Sequence, residues 1–293
     1  MMLKVKINGR NYEAEKGEYI LNVCRRNRIL IPTICNHESL SGQGACRLCV
    51  VEVNEGKGNN VVVSCSYPLS RDCEVFTESE KIQSLRRIIL SMLITRAPAG
   101  DRLASLCQIY GVTPDNGAVN KRFTALKGKK RRAASPQAAD RMPQDKLSSA
   151  CVLCGLCARA CASLGTGAIS TVGRGVDKMI STPYGGPSED CIGCKSCANV
   201  CPTKAIECIE STTSRGKAQR SIWGRKFKLL RCASCGAAFA TEEEYAYSLK
   251  KAAAEKPALE KFNLDKVSGP PVCEACRKKK NADAFASAFG ERV

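Results

Sequence analysis

The sequence predicts an α+β chain of several small domains, organised by metal ligation more than by large apolar cores. Three observations predict it. Period-two alternation around a turn signal marks an N-terminal hairpin, and helical periodicity follows over residues 84–110. Twenty cysteines occur among 293 residues, while aromatics make up only 5%. Few aromatics mean little apolar surface to bury, so ligation has to supply much of the folding free energy. The opening Met-Met-Leu-Lys-Val-Lys lacks the apolar run of a signal peptide, and no stretch reaches about eighteen apolar residues. The expected location is therefore cytoplasmic, without a membrane span. Thiols stay reduced there, so metal ligation is the default use of these cysteines and disulfides are the poorer reading.

In residues 2–15, Leu3, Val5 and Ile7 alternate with Lys4 and Lys6, and Asn8-Gly9 is a type I′ turn signal. Tyr19 to Arg28 reads as a helix with Ile20, Val23 and Cys24 on its inner side. Cys35, Cys46, Cys49 and Cys65 then form C-x10-C-x2-C-x15-C, with strands at Val50–Val53 and Val61–Cys65. On G-x-C-R-x-C-x-V this stretch resembles the N-terminal [2Fe–2S] domain of the large iron–sulfur subunit of respiratory complex I and of the diaphorase subunits of NAD-linked hydrogenases. The resemblance covers residues 1–80. It implies a β-grasp fold and a [2Fe–2S] cluster on those four cysteines, zinc being the alternative. His37 is the single histidine of the chain. It either tunes the cluster through a hydrogen bond or faces solvent from its loop. Cys24 and Cys73 fall outside the pattern and read as small apolar packing residues.

Residues 81–112 read as a short helical segment with helices at Ser84–Leu93 and Leu103–Tyr110. The resembling family carries a further [4Fe–4S] cluster here, on H-x3-C-x2-C-x5-C. This chain has Thr95-Arg-Ala-Pro-Ala-Gly-Asp101 in that place, with no histidine and Cys107 alone, so that cluster cannot form. The remaining centres must then lie closer together, or a partner must fill the gap. Residues 113–145 are polar and basic, including Lys129 to Arg132, and read as a flexible linker that is either solvated or strapped across an acidic partner.

Over residues 146–210 one pattern, C-x2-C-x2-C-x3-C, occurs twice, as Cys151-Val-Leu-Cys154-Gly-Leu-Cys157-Ala-Arg-Ala-Cys161 and Cys191-Ile-Gly-Cys194-Lys-Ser-Cys197-Ala-Asn-Val-Cys201-Pro202. This is the spacing with which bacterial-type ferredoxins hold two [4Fe–4S] cubes, the fourth cysteine of each run serving the other cube. Cys151, Cys154, Cys157 and Cys201 fall to the first cube, and Cys191, Cys194, Cys197 and Cys161 to the second. Zinc sites favour C-x2-C pairs over such triplets. The stretch resembles a two-cluster ferredoxin domain with a long insert, Thr166–Glu189, and with Ala162 in place of the usual proline. Cys208 reads as a core residue of a strand.

Residues 228–293 read as a small metal ribbon. Cys232, Cys235, Cys273 and Cys276 make two C-x2-C pairs, and Thr241-Glu-Glu-Glu244 is a capping box opening a helix to about Glu255. Such a set suits one zinc ion, with a third [4Fe–4S] cluster or mononuclear iron as alternatives. A ferredoxin domain followed by these pairs resembles the ferredoxin-like small subunits of formate-hydrogenlyase and related hydrogenase complexes.

The formal charge is +18. Each four-thiolate site carries roughly −2, so four sites bring the chain to about +10. Part of the basic excess thus compensates anionic clusters, and nucleic acid is the poorer reading of the partner. No G-x-G-x-x-G or Walker A pattern occurs, and every patterned cysteine is saturated as a ligand, which leaves no open coordination position. These features imply a one-electron relay with no catalytic residue of its own. The family resemblance implies a cytoplasmic multi-subunit oxidoreductase. In it a NAD(P)H-linked flavoprotein subunit would meet the [2Fe–2S] end, and a hydrogenase, a formate dehydrogenase or ferredoxin the cubes, with electron bifurcation permitted. An iron–sulfur nucleic-acid-binding or redox-sensing protein is the alternative. A self-contained reductase using an unrecognised site is the third.

Overall fold

The computed structural model describes residues 2–97, 101–113, 150–175, 178–214, 216–254 and 270–289. The basic linker, from residue 114 on, lies outside the described residues. The chain forms two compact units: Met1–Gly185 with Ser196–Ile206, and Gly186–Lys195 with Glu207–Val293.

The first unit opens with β1 (Met2–Ile7) and β2 (Arg10–Glu15), joined through Asn8 and Gly9 at φ +48° and +85°. Both residues are left-handed, as a type I′ turn requires. Asn8 also clamps the far end of the sheet, its side chain donating to Thr77 Oγ1 at 2.8 Å and accepting the Thr77 N–H at 2.9 Å. With β3 (Val50–Asn54), β4 (Asn59–Val63) and β5 (Cys73–Phe76) the strand order is β2-β1-β5-β3-β4. The β1–β5 pair is parallel and the others antiparallel. Helix α1 (Ile20–Arg26) lays Ile20, Val23 and Cys24 on Leu3, Val5, Ile7, Val51, Val53 and Val75, all fully or almost fully buried. Each such aliphatic side chain contributes about 1.5–3 kcal/mol. This mixed sheet grasping one helix is the β-grasp arrangement the resemblance implies. Cys24 and Cys73 belong to this core, and burial pushes their thiols up to about 12 and about 11.

Helices α2 (Glu80–Arg96) and α3 (Asp101–Ile109) occupy the helical segment. Ser79 caps α2, accepting the Ile82 N–H. Arg86, fully buried, donates to the carbonyls of Leu48 (3.2 Å) and Val50 (3.0 Å), to Glu78 Oε1 (2.6 Å) and to the Tyr110 hydroxyl (3.1 Å). One guanidinium therefore fastens both helices to the strand that follows Cys49. Leu90, Ile94, Leu103 and Cys107 share a core with Ile34, Cys35, Cys46 and Leu48 and with Val152, Cys154 and Leu156. The helices persist without ligands because their apolar faces share this core with two cysteine-bearing loops. Cys107 is buried packing, as expected. The unit also holds α4 (Leu156–Ser163), α5 (Ser196–Asn199) and, within the insert, the hairpin β6 (Ser170–Val172) and β7 (Met179–Ser181).

The second unit is an antiparallel meander, β8 (Cys208–Thr212), β9 (Ala218–Ile222), β10 (Arg225–Arg231) and β11 (Ala238–Thr241), in the order β11-β10-β9-β8. Thr241 Oγ1 accepts the Glu244 N–H at 3.0 Å while Glu244 reaches back to the Thr241 N–H at 3.4 Å, the expected capping box. It opens α6 (Glu242–Ala254), which packs on β10 and β11, and α7 (Glu274–Phe289) closes the unit. Cys208 opens β8 and is half-buried.

Candidate metal centres

Cys35, Cys46, Cys49 and Cys65 are all buried and fall into two pairs. The Cys46 N–H donates to Cys35 Sγ at 3.3 Å. The Cys35–Cys46 thiol hydrogen bond lowers Cys46 to about 6 and raises Cys35; the Cys49–Cys65 bond lowers Cys65 to about 7 and raises Cys49. Two pairs of sulfurs are what a two-iron rhomb needs, each iron taking two thiolates. Backbone N–H groups of Ala45, Leu48 and Gly44 point at Cys35, Cys46 and Cys65 respectively. The loop can turn its amides inward because Gly44 and Arg47 are left-handed, at φ +65° and +60°. Gly42 is required on steric grounds, since a Cβ there would collide with the Cys65 carbonyl. The donor set and this amide cradle fit a [2Fe–2S] cluster. His37 is exposed and accepts the Ser39 N–H at 3.2 Å, the solvent-facing role of the two read from the sequence.

Cys151, Cys154, Cys157 and Cys201 line one cavity, with Val152, Gly155, Ile180 and Ile206 as its apolar wall. Burial pushes the Cys151, Cys154 and Cys157 thiols up, Cys154 to about 11. The Ala205 N–H donates to Cys201 Sγ at 3.2 Å and the Leu153 N–H to Cys151 Sγ at 3.4 Å, with Leu153 held at φ +54°. Arg96, at the end of α2, donates to the Cys151 carbonyl at 3.1 Å, and its charge favours the Cys151 thiolate. Four thiols, inward amides and an apolar wall fit a [4Fe–4S] cube.

Cys161 and Cys197 belong to the first unit, Cys191 and Cys194 to the second. Within the second unit the Cys191–Lys195 loop is gripped through its carbonyls. Arg220 Nη1 donates to Gly193 O at 2.6 Å, Arg225 Nη1 to the carbonyls of Ser188, Glu189 and Cys191 at 2.8 Å, and Thr241 Oγ1 to Ile192 O at 2.5 Å. Gly193 sits at φ +68° with the Phe227 ring 2.8 Å from where a Cβ would be.

The sulfurs of Cys232, Cys235, Cys273 and Cys276 lie within 4.8 Å of one another. Cys235 and Cys273 are 3.8 Å apart, which is about the spacing that a Zn–S bond near 2.3 Å gives around a tetrahedron. A cube, with its thiolates on separate irons, holds them further apart. The N–H groups of Ser234 and Cys273 donate to Cys232 Sγ at 3.4 and 3.3 Å, and these backbone bonds lower that thiol to about 6. This donor set fits a single ion.

Sequence reasoning missed the arginines that hold the ligand loops: Arg96, Arg159, Arg220 and Arg225. Arg159 could have been found, because it is the one charged residue in the x3 spacer between Cys157 and Cys161.

Residues 1–80 match a 2Fe-2S iron–sulfur cluster binding domain, and residues 150–205 a 4Fe-4S dicluster domain. This is an iron–sulfur protein. Among its relatives are the NADH-ubiquinone oxidoreductase 75 kDa subunit of Reclinomonas americana, 31% identical over 62% of this chain and 26% of that one. The NADPH-Fe(3+) oxidoreductase subunit alpha of Geobacter sulfurreducens is 27% identical over 70% and 24%. The NADP-reducing hydrogenase subunit HndD of Solidesulfovibrio fructosivorans is 30% identical over 70% and 36%. The iron–sulfur chain thus spans about a quarter to a third of the length of these relatives. A crystal structure of NAD+-reducing [NiFe]-hydrogenase in the H2-reduced state shares the fold, with a TM-score of 0.54 at 24% identity, over 69% of this chain and 85% of that one. Each of these three relatives is named as a subunit of an oxidoreductase or a hydrogenase. No helix among the described residues is long and apolar enough to cross a membrane.

Proposed function

We propose that this chain is the iron–sulfur relay subunit of a cytoplasmic multi-subunit oxidoreductase. It exchanges electrons with a NAD(P)H-linked flavoprotein subunit at the [2Fe–2S] end and with a hydrogenase, a formate dehydrogenase or ferredoxin beyond the cubes. Cys35, Cys46, Cys49 and Cys65 hold the [2Fe–2S] cluster. Cys151, Cys154, Cys157 and Cys201 hold the first cube. By the ligand exchange between paired runs, Cys191, Cys194, Cys197 and Cys161 hold the second. Cys232, Cys235, Cys273 and Cys276 hold one zinc ion outside the relay, a choice supported by the sulfur spacing over a third cube.

The clusters supply one-electron exchange when bound; the chain's residues set where and how readily it occurs. Burial of the thiols keeps water away, and inward N–H groups stabilise the sulfur charge. One observation carries the relay reading: Cys35 and Cys46 share an apolar core with Val152 and Cys154. Two adjacent ligand loops suit transfer without the cluster missing from residues 81–112.

Anaerobic affinity purification with identification of every co-purifying chain tests it. A flavoprotein together with a metal-dependent catalytic subunit is expected. Recovery of the chain alone, or with nucleic acid, would overturn the reading.

A further inference from the structure

Arg159 lies on α4 between Cys157 and Cys161, yet its guanidinium reaches the other cysteine loop of the first unit. Nη2 donates to the Cys35 carbonyl at 2.7 Å, and Nη1 to the Ser41 carbonyl. The approach is tight. Gly155, which caps α4 at φ +73°, faces Gln43 so closely that a Cβ would come within 2.8 Å of Gln43 Oε1. Arg159 Nε is buried and has no hydrogen-bond partner, and no carboxylate pairs with this guanidinium among the described residues. A partly buried cation that meets only carbonyl dipoles is costly unless an anion lies near. Around Arg159 the anions available are the thiolate-bound clusters themselves, each of roughly −2.

We infer that Arg159 is the positioning and tuning residue for electron exchange between the [2Fe–2S] cluster and the first cube. Its fork fixes the Cys35 loop against the helix of Cys157, so that one hydrogen bond joins the two ligand peptides. Its charge favours the reduced, more negative form of the [2Fe–2S] cluster. One electron passes between the two clusters with no proton moved and no bond broken; dithionite supplies it in the test below. The inference rests on the ligand sets proposed above.

The experiment is an anaerobic, EPR-monitored redox titration of the full chain, its Arg159→Lys variant and its Arg159→Gln variant. Reduced [2Fe–2S] and cube signals in the parent establish the ligand reading, and their absence sinks that reading itself. With them present, Arg159→Gln should make [2Fe–2S] reduction about tenfold less favourable, a fall of about 59 mV for one electron. Magnetic broadening between the two reduced clusters should also narrow as the loops part. Arg159→Lys keeps the charge and loses the fork, so the midpoint should stay near the parent's while the broadening weakens. Parent-like midpoints in both variants overturn the tuning role, as does an equal fall in both, because charge would then not matter. If Arg159→Gln does not retain its clusters, the lysine variant decides: a parental midpoint with weakened broadening supports the inference, and any other pair of results overturns it.

Discussion

Arg225 Nη1 donates to the Cys191 carbonyl at 2.8 Å, so the first cysteine of the second ferredoxin run is held by strand β10. The same nitrogen reaches Ser188 O and Glu189 O, and the guanidinium lies 4.8 Å over the Phe227 ring. The ferredoxin loop is in this sense part of the C-terminal sheet. Arg225→Ala should cost about 2 kcal/mol at the loop, the worth of a hydrogen bond to a charged donor. Iron analysis and EPR should find the second cube partly lost while the [2Fe–2S] signal stays whole. Equal retention of both would show that the grip is incidental.

The four-cysteine cluster closes the same unit, because Cys232 directly follows β10 and Cys273 directly precedes α7. Structural zinc contributes about 10–16 kcal/mol of apparent binding free energy to folding. Cys276→Ser should reduce zinc from one per chain to a trace and lower the melting temperature of the C-terminal unit. The [2Fe–2S] rhomb and first cube, in the other unit, should be retained. Elemental analysis with differential scanning calorimetry reads both effects.

Gly42→Ala should drive a methyl group into the Cys65 carbonyl. Overpacking of this kind costs about 1–3 kcal/mol, and here it falls on a ligand's backbone. Visible circular dichroism should show the [2Fe–2S] bands weakened and iron down by at most about two atoms per chain.

Arg86→Met tests the fastening of the helical segment. It leaves the Leu48 and Val50 carbonyls without their buried donors, and each unsatisfied buried acceptor costs about 1–3 kcal/mol. Thermal unfolding should shift down by several degrees, with the cluster potentials moved less than by substitution at Arg159.

The two iron–sulfur domains were legible because cysteine spacing is dictated by cluster geometry; the hairpin at Asn8-Gly9 and the capping box at Thr241 were legible because one local backbone demand fixes each. The meander over Cys208–Arg231 was not. Its strands carry Arg220, Arg225, Lys226 and Lys228 among few apolar residues, and such runs ordinarily read as solvated. Arg220 is nonetheless 1% exposed, because Glu210 pairs with it at 2.9 Å and the Gly193 carbonyl accepts from it. The sequence-level balance between basic residues and anionic sites is a sum over the whole chain. It could not say that Arg96 and Arg159 stand at the first cube's ligand loop and helix while Arg220 and Arg225 hold the second run, since those partners are backbone carbonyls distant in sequence.

The most direct measurement is Mössbauer spectroscopy, with iron and zinc analysis, of the anaerobically loaded full chain before and after dithionite. The account predicts about ten irons, with about one fifth in a [2Fe–2S] environment and the rest in cubes, all reducible, and zinc at the C-terminal site. Iron that stays oxidised, cysteine runs filled by zinc, or a spectrum without the two-iron component would contradict a three-cluster relay.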